Sequence, residues 1–382
     1  MVIPDERRAL IYGRWGACFA DLAQSDVNVL MTTPPFLSAY KQFDADAVLS
    51  WYDRNARTLP WRRKLPDLAP AYHVFLSELM LQQTVVATVI PYFQKFISVW
   101  PDIQALARAD RDDVLSAWAG LGYYARARNM HKAAEIIADQ YGGLFPEEEA
   151  ELLRLPGIGP YTAGAIRSFA FNRPAIVLDG NIERILIRYG NIHLPAASIK
   201  SELREAYLRS APSYRFADFP QALMDIGAGV CQPRTARCEI CPLAEGCLGR
   251  KAGAADSLPV RPPRKQKPVR QGRAYLIRNH DGQFLMMKRP PQGLLGGMAV
   301  YPSTGWDHSS EDELGLLSYL HSASAQPLGR IRHVFTHFTA ELEVISARLV
   351  NDKDVPEGCY WAEDQPQNLP KLMQKCRDVL PL

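Results

Sequence analysis

The chain has 382 residues, of which 47% are hydrophobic and 22% are charged, as in an ordinary globular protein of two domains or three. No apolar run approaches the roughly 18 residues that a membrane-spanning helix needs, which argues against a transmembrane protein. The formal net charge is only +3, so nucleic-acid binding, if present, must rest on local basic patches.

Residues 1–35 form an N-terminal extension to which the pattern assigns no structure. They end in Pro34-Pro35, which indicates a boundary, and Met31 is a candidate for the true start. Between residues 36 and 249, apolar residues recur at spacings of three and four, which predicts an all-α domain. The predicted helices are 44–52, 73–99, 110–120, 128–140, 161–171, 181–189 and 198–209.

Residues 250–272 predict a semi-rigid linker, because six basic residues, three prolines and no acidic residue lie between Arg261 and Arg273. Both a solvated tether and a DNA-contacting segment are compatible with this composition. Residues 273–382 then change to a period of two, which predicts a small α+β domain. Its predicted elements are strands 274–278, 283–288 and 340–350, a hairpin turn at 280–282, and helices 310–321 and 369–380.

The seven cysteines give the strongest local signal, because four of them form the motif Cys231-x6-Cys238-x2-Cys241-x5-Cys247. A secreted disulfide framework distributes its cysteines along a short chain, so this clustering indicates one metal or cluster site in a reducing, cytoplasmic setting. Structural zinc usually uses two Cys-x2-Cys knuckles, and only one is present here. We therefore favour a 4Fe–4S cluster bound by the four thiolates over zinc.

Two further segments combine a turn with a helix start. Gly157 and Gly159 form a tight turn, and backbone N–H groups at such a turn can face a phosphate, although most glycine turns have no such role. An apolar run then leads to Asp179, which we expect at the N-terminus of a helix over 182–189. Capping and catalysis are compatible roles for this carboxylate, because capping fixes its position.

Glu78 lies in a helical pattern with apolar residues on every side. Burial in such surroundings favours the neutral form of a carboxyl group. A buried glutamate is uncommon unless it is paired or functional, so Glu78 is either satisfied by a buried arginine or acts as an acid.

In this order, Glu78, the glycine turn, Asp179 and the four cysteines resemble the helix-hairpin-helix superfamily of DNA glycosylases over residues 36–247. Within it the chain is most similar to the adenine DNA glycosylase (MutY) family. Tyr161 stands where the endonuclease III branch has a lysine that forms a Schiff base, and tyrosine cannot do so. Segments 81–84 and 121–126 also match the adenine branch.

The resemblance implies a monofunctional, monomeric enzyme that hydrolyses the N-glycosidic bond of adenine mispaired with 8-oxoguanine or guanine in double-stranded DNA. A neutral Glu78 would protonate N7 of the extruded adenine, and an ionised Asp179 would stabilise the oxocarbenium-like sugar. Tyr161 and Asn181 would orient Asp179 and the deoxyribose. The other implied contacts are Trp61, Arg62 and Gln221 at the adenine, with Gln82, Gln83, Tyr123, Gly157 and Gly159 at the DNA.

Two of these contacts have defined roles in the family that the chain resembles. Gln83 would fill the space that the extruded base leaves, and Tyr123 would intercalate beside the lesion. Unstacking costs a few kcal/mol, which stacking and phosphate contacts must offset.

The C-terminal part resembles, more loosely, the 8-oxoguanine-reading domain of the same family, itself related to Nudix hydrolases. The matching segments are 288–297 and 335–337. The sequence shows no Glu-rich metal box between residues 305 and 320, so damage recognition is expected rather than nucleotide hydrolysis. Phe335 would wedge into the duplex, Thr336 would hydrogen-bond the oxidised guanine, and His337 would contact base or phosphate.

Three rival functions stay open. The first is an endonuclease III-like glycosylase with lyase activity, and the second is a non-catalytic iron–sulfur DNA-binding protein or redox sensor. The third is a Nudix-type hydrolase.

Overall fold

The structure is a computed structural model that describes residues 40–260, 266–290, 293–307, 315–320, 324–364 and 369–380. The predicted N-terminal extension, the start at Met31 and the first part of the predicted helix 310–321 lie outside these residues. In the part of the chain that is described, no helix has the length and apolar character needed to cross a bilayer.

Residues 40–260 are helical, as the apolar spacing predicts. The helices are α1 (Ala45–Asn55), α2 (Ala71–Leu81), α3 (Val86–Val99), α4 (Ile103–Ala107), α5 (Arg111–Ala117), α6 (Ala125–Gln140), α7 (Glu149–Leu152), α8 (Pro160–Phe171), α9 (Gly180–Tyr189), α10 (Lys200–Ser210), α11 (Asp218–Gly229) and α12 (Leu248–Lys251). The single helix predicted over 73–99 is wrong, because the chain turns at Gln82–Val85 and forms α2 and α3 instead.

Among the described residues, four α-helices are not predicted by the sequence pattern. Three of them, α4, α7 and α12, have only four or five residues, which is too short for a helical period to show. Helix α11 is longer but is buried on all sides over 218–227, so it has no polar face to contrast with an apolar one.

Helix α2 forms the centre of this unit. Residues 72 and 74–80 are all buried, and α2 packs against α3, α6 and α8. Helix α9 packs on α11, and α11 also packs on α1. This arrangement brings α2, α8, α9 and α11 around one cavity.

The described residues of the C-terminal part form two small sheets and one α-helix, as expected for an α+β domain. The strands are β1 (Val269–Ile277), β2 (Phe284–Lys288), β3 (Ala299–Val300), β4 (Ser303–Thr304), β5 (Gln326–Val334), β6 (Thr339–Ala347) and β7 (Cys359–Ala362), and the helix is α13 (Lys371–Arg377). One sheet has the order β4-β1-β6-β5 and the other β3-β2-β7. All neighbours are antiparallel except β1 and β6.

The structure corrects three predictions in this part. Strand β1 begins at Val269, inside the segment assigned to the linker. The turn at 280–282 is present, closed by the Asn279 N–H that donates to the Gln283 carbonyl at 3.0 Å, but β1 and β2 then enter different sheets. Residues 316–319 form a 3₁₀ turn where an α-helix is predicted.

Strand β5 escapes the sequence pattern for a physical reason. It lies at the edge of its sheet, and the register shifts between Pro327 and Gly329. Proline and glycine weaken a strand signal and are tolerated at edges and bulges.

Candidate active site

Helix α2 carries Glu78 into the protein interior. The glutamate is only 6% exposed. Burial raises the pKa of its carboxyl group to about 7, and the negative charge of Asp179 acts in the same direction, while a hydrogen bond from Tyr161 and the charge of Arg62 act against it. Glu78 can therefore carry a proton near neutral pH, as its apolar surroundings predict.

Asp179 caps the N-terminus of α9. Its Oδ1 accepts from the backbone N–H groups of Asn181 at 2.9 Å and Ile182 at 2.8 Å, and its Oδ2 accepts from the Asn181 side-chain amide at 2.7 Å. Three hydrogen bonds therefore fix the carboxylate in one orientation, and the predicted cap is confirmed.

Asn181 is held in turn by its own neighbours. The Arg184 guanidinium donates to the Asn181 Oδ1 at 2.9 Å and to the Gly227 carbonyl at 2.8 Å. A Cβ atom at Gly227 would lie 2.5 Å from the Asn181 Cβ, a distance that packed atoms do not adopt. Only glycine lets α11 approach the start of α9 this closely.

Tyr161 lies in the first turn of α8, directly after the glycine turn. Gly157 has a φ of +81°, a left-handed conformation that favours glycine, and Gly159 is the N-cap of α8. The Tyr161 hydroxyl hydrogen-bonds the Glu78 carboxyl, and burial raises the pKa of Tyr161 well above its usual range. The hydroxyl thus remains protonated and donates to the Glu78 carboxyl group.

One cavity of about 690 Å³ joins these groups, which lies within the usual size of a small-ligand site. Nine predicted site residues line it: Trp61, Arg62, Glu78, Gln82, Gln83, Tyr161, Asp179, Asn181 and Gln221. Trp61 is also a core residue, because it is 6% exposed and packs edge-on against Phe93 with ring centroids 5.3 Å apart.

Sequence reasoning missed Asp225, an acid on α11 whose side chain is 1% exposed. It accepts from the Arg62 Nη1 at 2.7 Å and 2.8 Å and from the Arg57 Nε at 2.5 Å. Both arginines line the cavity. No local pattern could signal this network, because Asp225 lies more than 160 residues from both arginines.

Gln83 and Tyr123 occupy two turns at the protein surface. Their φ angles are +57° and +49°, a left-handed conformation that is uncommon outside glycine and concentrates at functional sites. Tyr123 is 49% exposed, so its ring is available to a partner. Gln83 is exposed at the rim of the cavity.

The predicted lesion-reading residues lie between β5 and β6. Thr336 and His337 are exposed. Phe335 is partly buried, and its ring stacks on Phe338 and Trp306 with centroids 4.7 Å and 5.8 Å apart. A wedge role for Phe335 stays a prediction. It requires that an edge of the Phe335 ring can reach the DNA while the ring stacks on Phe338 and Trp306.

The four cysteine thiols of the motif are free and partly buried. Burial raises the pKa of the Cys241 thiol to about 12 and raises the pKa of the Cys238 and Cys247 thiols as well. Within the described residues, no three metal-ligating side chains are close enough to hold a single ion. Four partly buried thiols in one short loop are the type of donor that binds an iron–sulfur cluster.

Comparison with known proteins agrees with this geometry. Residues 76–208 match the family described as HhH-GPD superfamily base excision DNA repair protein, and residues 273–378 match the NUDIX domain family. The fold and the family match are those of a base-excision-repair DNA glycosylase.

Comparison with individual relatives identifies the family within this class of glycosylases. The adenine DNA glycosylase of Buchnera aphidicola subsp. Acyrthosiphon pisum is 35% identical over 88% of this chain and 97% of its own length. That of Buchnera aphidicola subsp. Baizongia pistaciae is 39% identical over 67% of this chain and 72% of its own. The human adenine DNA glycosylase is 33% identical over 82% and 69%. The chain belongs to the adenine DNA glycosylase family.

Proposed function

We propose that this glycosylase is monofunctional and releases adenine paired with 8-oxoguanine or guanine in duplex DNA. The observation that carries the proposal is the pairing of two unlike carboxyl groups on one cavity. Burial raises the pKa of the Glu78 carboxyl group to about 7, whereas the Asp179 carboxyl group is held as a helix cap by three hydrogen bonds that it accepts.

These two environments suit the two charges that develop as a glycosidic bond breaks. Adenine is a poor leaving group unless it is protonated, and Glu78 would donate its proton to N7. The positive charge that develops on the deoxyribose would be stabilised by Asp179. Tyr161 would keep the Glu78 carboxyl oriented, and after the base leaves, the ionised Glu78 would help to deprotonate the attacking water.

The lining of the cavity supports a monofunctional reaction. A lyase forms a Schiff base between an amine and the sugar, and Tyr161 supplies no amine. Among the described residues that line the cavity there is no lysine. This lining favours a reaction in which water, rather than an enzyme amine, attacks the sugar.

The surface turns support action on an extruded base. A purine must leave the stack to reach Glu78, and the space it vacates must be filled. Gln83 lies on the rim of the cavity, and we propose that it fills this space. We propose that Tyr123 intercalates beside the opposite base and that Thr336 and His337 contact 8-oxoguanine.

The four cysteines would hold a 4Fe–4S cluster. Once bound, a cluster would cross-link the 231–247 loop and give it a fixed shape, a structural contribution to DNA binding. The loop already contacts α9, because the Arg188 guanidinium lies 3.3 Å from the Cys231 Sγ and donates to the Gln232 carbonyl at 2.7 Å. No step of base release needs the cluster.

A single-turnover assay tests the proposal. Wild-type protein and the Glu78→Gln variant are incubated in excess over a duplex with one A:8-oxoguanine pair, and free adenine is measured. We expect rapid release by the wild type and none by the variant, with nearly equal binding. Release that persists in Glu78→Gln would overturn the assigned roles.

The rival functions predict different products. If the protein were a lyase, borohydride would trap it on DNA as efficiently as it traps an established lyase. A non-catalytic DNA-binding protein would bind the duplex and release no base. A Nudix hydrolase would cleave a nucleoside diphosphate derivative in the presence of Mg²⁺ without acting on the duplex.

A further inference from the structure

Arg126, in the first turn of α6, forms hydrogen bonds to two segments that are distant in sequence, namely the C-terminal end of α2 and the turn that carries Tyr123. Arg126 is only 8% exposed, and its guanidinium donates six hydrogen bonds of 3.4 Å or less. All six acceptors are oxygens of neutral groups, namely five backbone carbonyls and one hydroxyl. A buried cation without a carboxylate among these acceptors is uncommon and costs desolvation, which indicates a specific role.

One nitrogen of the guanidinium donates hydrogen bonds to the C-terminal end of α2. The Arg126 Nη1 donates to the carbonyls of Leu79 at 2.8 Å, Met80 at 2.9 Å and Gln82 at 2.6 Å. These carbonyls lie at the C-terminal end of the helix, where backbone acceptors lack helical partners and a positive charge is stabilising. The turn that begins at Gln82 carries Gln83, and the same helix carries Glu78.

The other nitrogen serves the turn that carries Tyr123. The Arg126 Nη2 donates to the carbonyls of Leu121 at 3.1 Å and Gly122 at 3.2 Å, and it reaches the Thr84 hydroxyl at 3.4 Å. The guanidinium also lies over the Tyr123 ring, 5.4 Å from its centroid. A planar fork with donors in fixed directions holds two groups at a defined separation, which a lysine amine cannot do.

We propose that Arg126 is a positioning residue that locks the Gln83 turn and the Tyr123 turn to each other, so that the two side chains enter the duplex together when adenine is extruded. Both turns hold a non-glycine residue in the left-handed conformation, which persists only where surrounding contacts enforce it. The six hydrogen bonds from Arg126 hold the backbone of both turns in this conformation. The inference rests on the proposed function, because it assigns both side chains to base extrusion.

The test compares Arg126→Lys and Arg126→Met with a matched control. Arg126→Lys keeps the charge and loses the fork, whereas Arg126→Met loses both. Ile137→Ala is the control, since Ile137 is fully buried on the same helix and its truncation lowers stability without touching either turn. Thermal denaturation first establishes that each variant is folded at the assay temperature, and Arg126→Lys carries the test if Arg126→Met is not.

Two readouts separate positioning from a general loss of stability. Base unstacking is followed by the fluorescence of 2-aminopurine placed next to the target adenine, and adenine release is followed in single turnover at saturating enzyme. Each rate is measured on adenine opposite 8-oxoguanine and on adenine opposite a tetrahydrofuran abasic analogue, where extrusion is already easier because the target base is unpaired.

We expect Arg126→Lys to reduce both the fluorescence rise and the release rate at least tenfold on the A:8-oxoguanine duplex, and the deficit to shrink on the abasic duplex. Ile137→Ala should show neither effect. A deficit that is equal on both duplexes, or matched by Ile137→Ala, would show a merely structural role and overturn the inference. A wild-type protein that releases no adenine would instead reject the proposed function, so the two failures are distinguishable.

Discussion

The Tyr123 hydroxyl and the Thr336 hydroxyl lie 2.9 Å apart and are hydrogen-bonded, although 213 residues separate them in the chain. The bond joins the helical unit to the turn between β5 and β6. A second bond between the two parts runs from the Arg128 guanidinium to the Gly296 carbonyl at 2.8 Å. The two residues proposed to meet the lesion-containing strand are thus adjacent before DNA arrives.

Thr336→Ala should weaken the preference for 8-oxoguanine over guanine, because it removes the hydroxyl proposed to bond the oxidised base. A hydrogen bond contributes about 0.5–1.5 kcal/mol, so the ratio of release rates on the two mispairs should fall by roughly threefold to tenfold. Thr336→Ser, which keeps the hydroxyl, is the control. An unchanged ratio in Thr336→Ala would remove this residue from lesion reading.

Release of adenine should be fastest below neutral pH and should fall as the pH rises through about 7. The reason is that Glu78 acts in its protonated form, and burial raises the pKa of its carboxyl group to about 7. Single-turnover rates at saturating enzyme between pH 5.5 and 9 would measure this. A rate that stays level across that range would mean that Glu78 does not supply the proton.

Glu78→Gln should increase stability at alkaline pH while it removes activity. The raised pKa means that, between the ordinary value of 4.5 and about 7, the unfolded carboxyl ionises while the folded one stays neutral. The wild type therefore loses stability, relative to the variant, as the pH rises across this window, and the difference is constant above it. The gap should be on the order of a few kcal/mol.

Thermal or urea denaturation of both proteins at pH 4.5 and pH 8 measures this difference. Near-equal stabilities at pH 4.5 and a more stable variant at pH 8 are expected. A variant that is less stable at both pH values would mean that Glu78 is a paired structural residue.

Asp179→Asn should reduce the rate of release by at least a hundredfold with little loss of stability. Asparagine is as good an N-cap as aspartate, so α9 should keep its first turn, whereas the negative charge beside the sugar is lost. The matched control is Asp44→Asn, because Asp44 caps α1 through the same kind of bonds, at 2.9 Å and 3.0 Å. Comparable rates in the two variants would argue against a catalytic Asp179.

Cys238→Ala should mainly lower stability and DNA affinity, since none of the four cysteines of the motif lines the cavity. We expect iron content and the melting temperature to fall, and the dissociation constant for duplex DNA to rise, while the rate at saturating enzyme changes little. Cys359→Ala, a partly buried thiol outside the motif, is the control. Full iron content in Cys238→Ala would contradict its assignment as a ligand.

The sequence predicts those features that depend on residues close to one another in the chain. Glu78 is predicted by the apolar residues on every side of it, and the capping position of Asp179 by the apolar run that precedes it. Both predictions concern burial and helix ends, which nearby residues determine. The α2–α3 break was missed, because the apolar spacing continues through the turn at 82–85.

Contacts between distant segments could not be predicted in this way. The bonds from Arg57 and Arg62 to Asp225, and from Arg126 to both turns, depend on how helices pack rather than on local pattern. Helix α11 was itself missed, because burial on all sides removes its period. The sequence therefore predicted the two acid groups and Arg62, but not Arg57, Arg126 or Asp225.

The contact between Gly227 and Asn181 limits how this enzyme can be redesigned. Even a methyl group on α11 at this point would displace Asn181, and with it the amide that holds the Asp179 carboxylate. Efforts to widen the pocket for a bulkier purine must therefore change other lining residues, such as Trp61, and leave position 227 untouched.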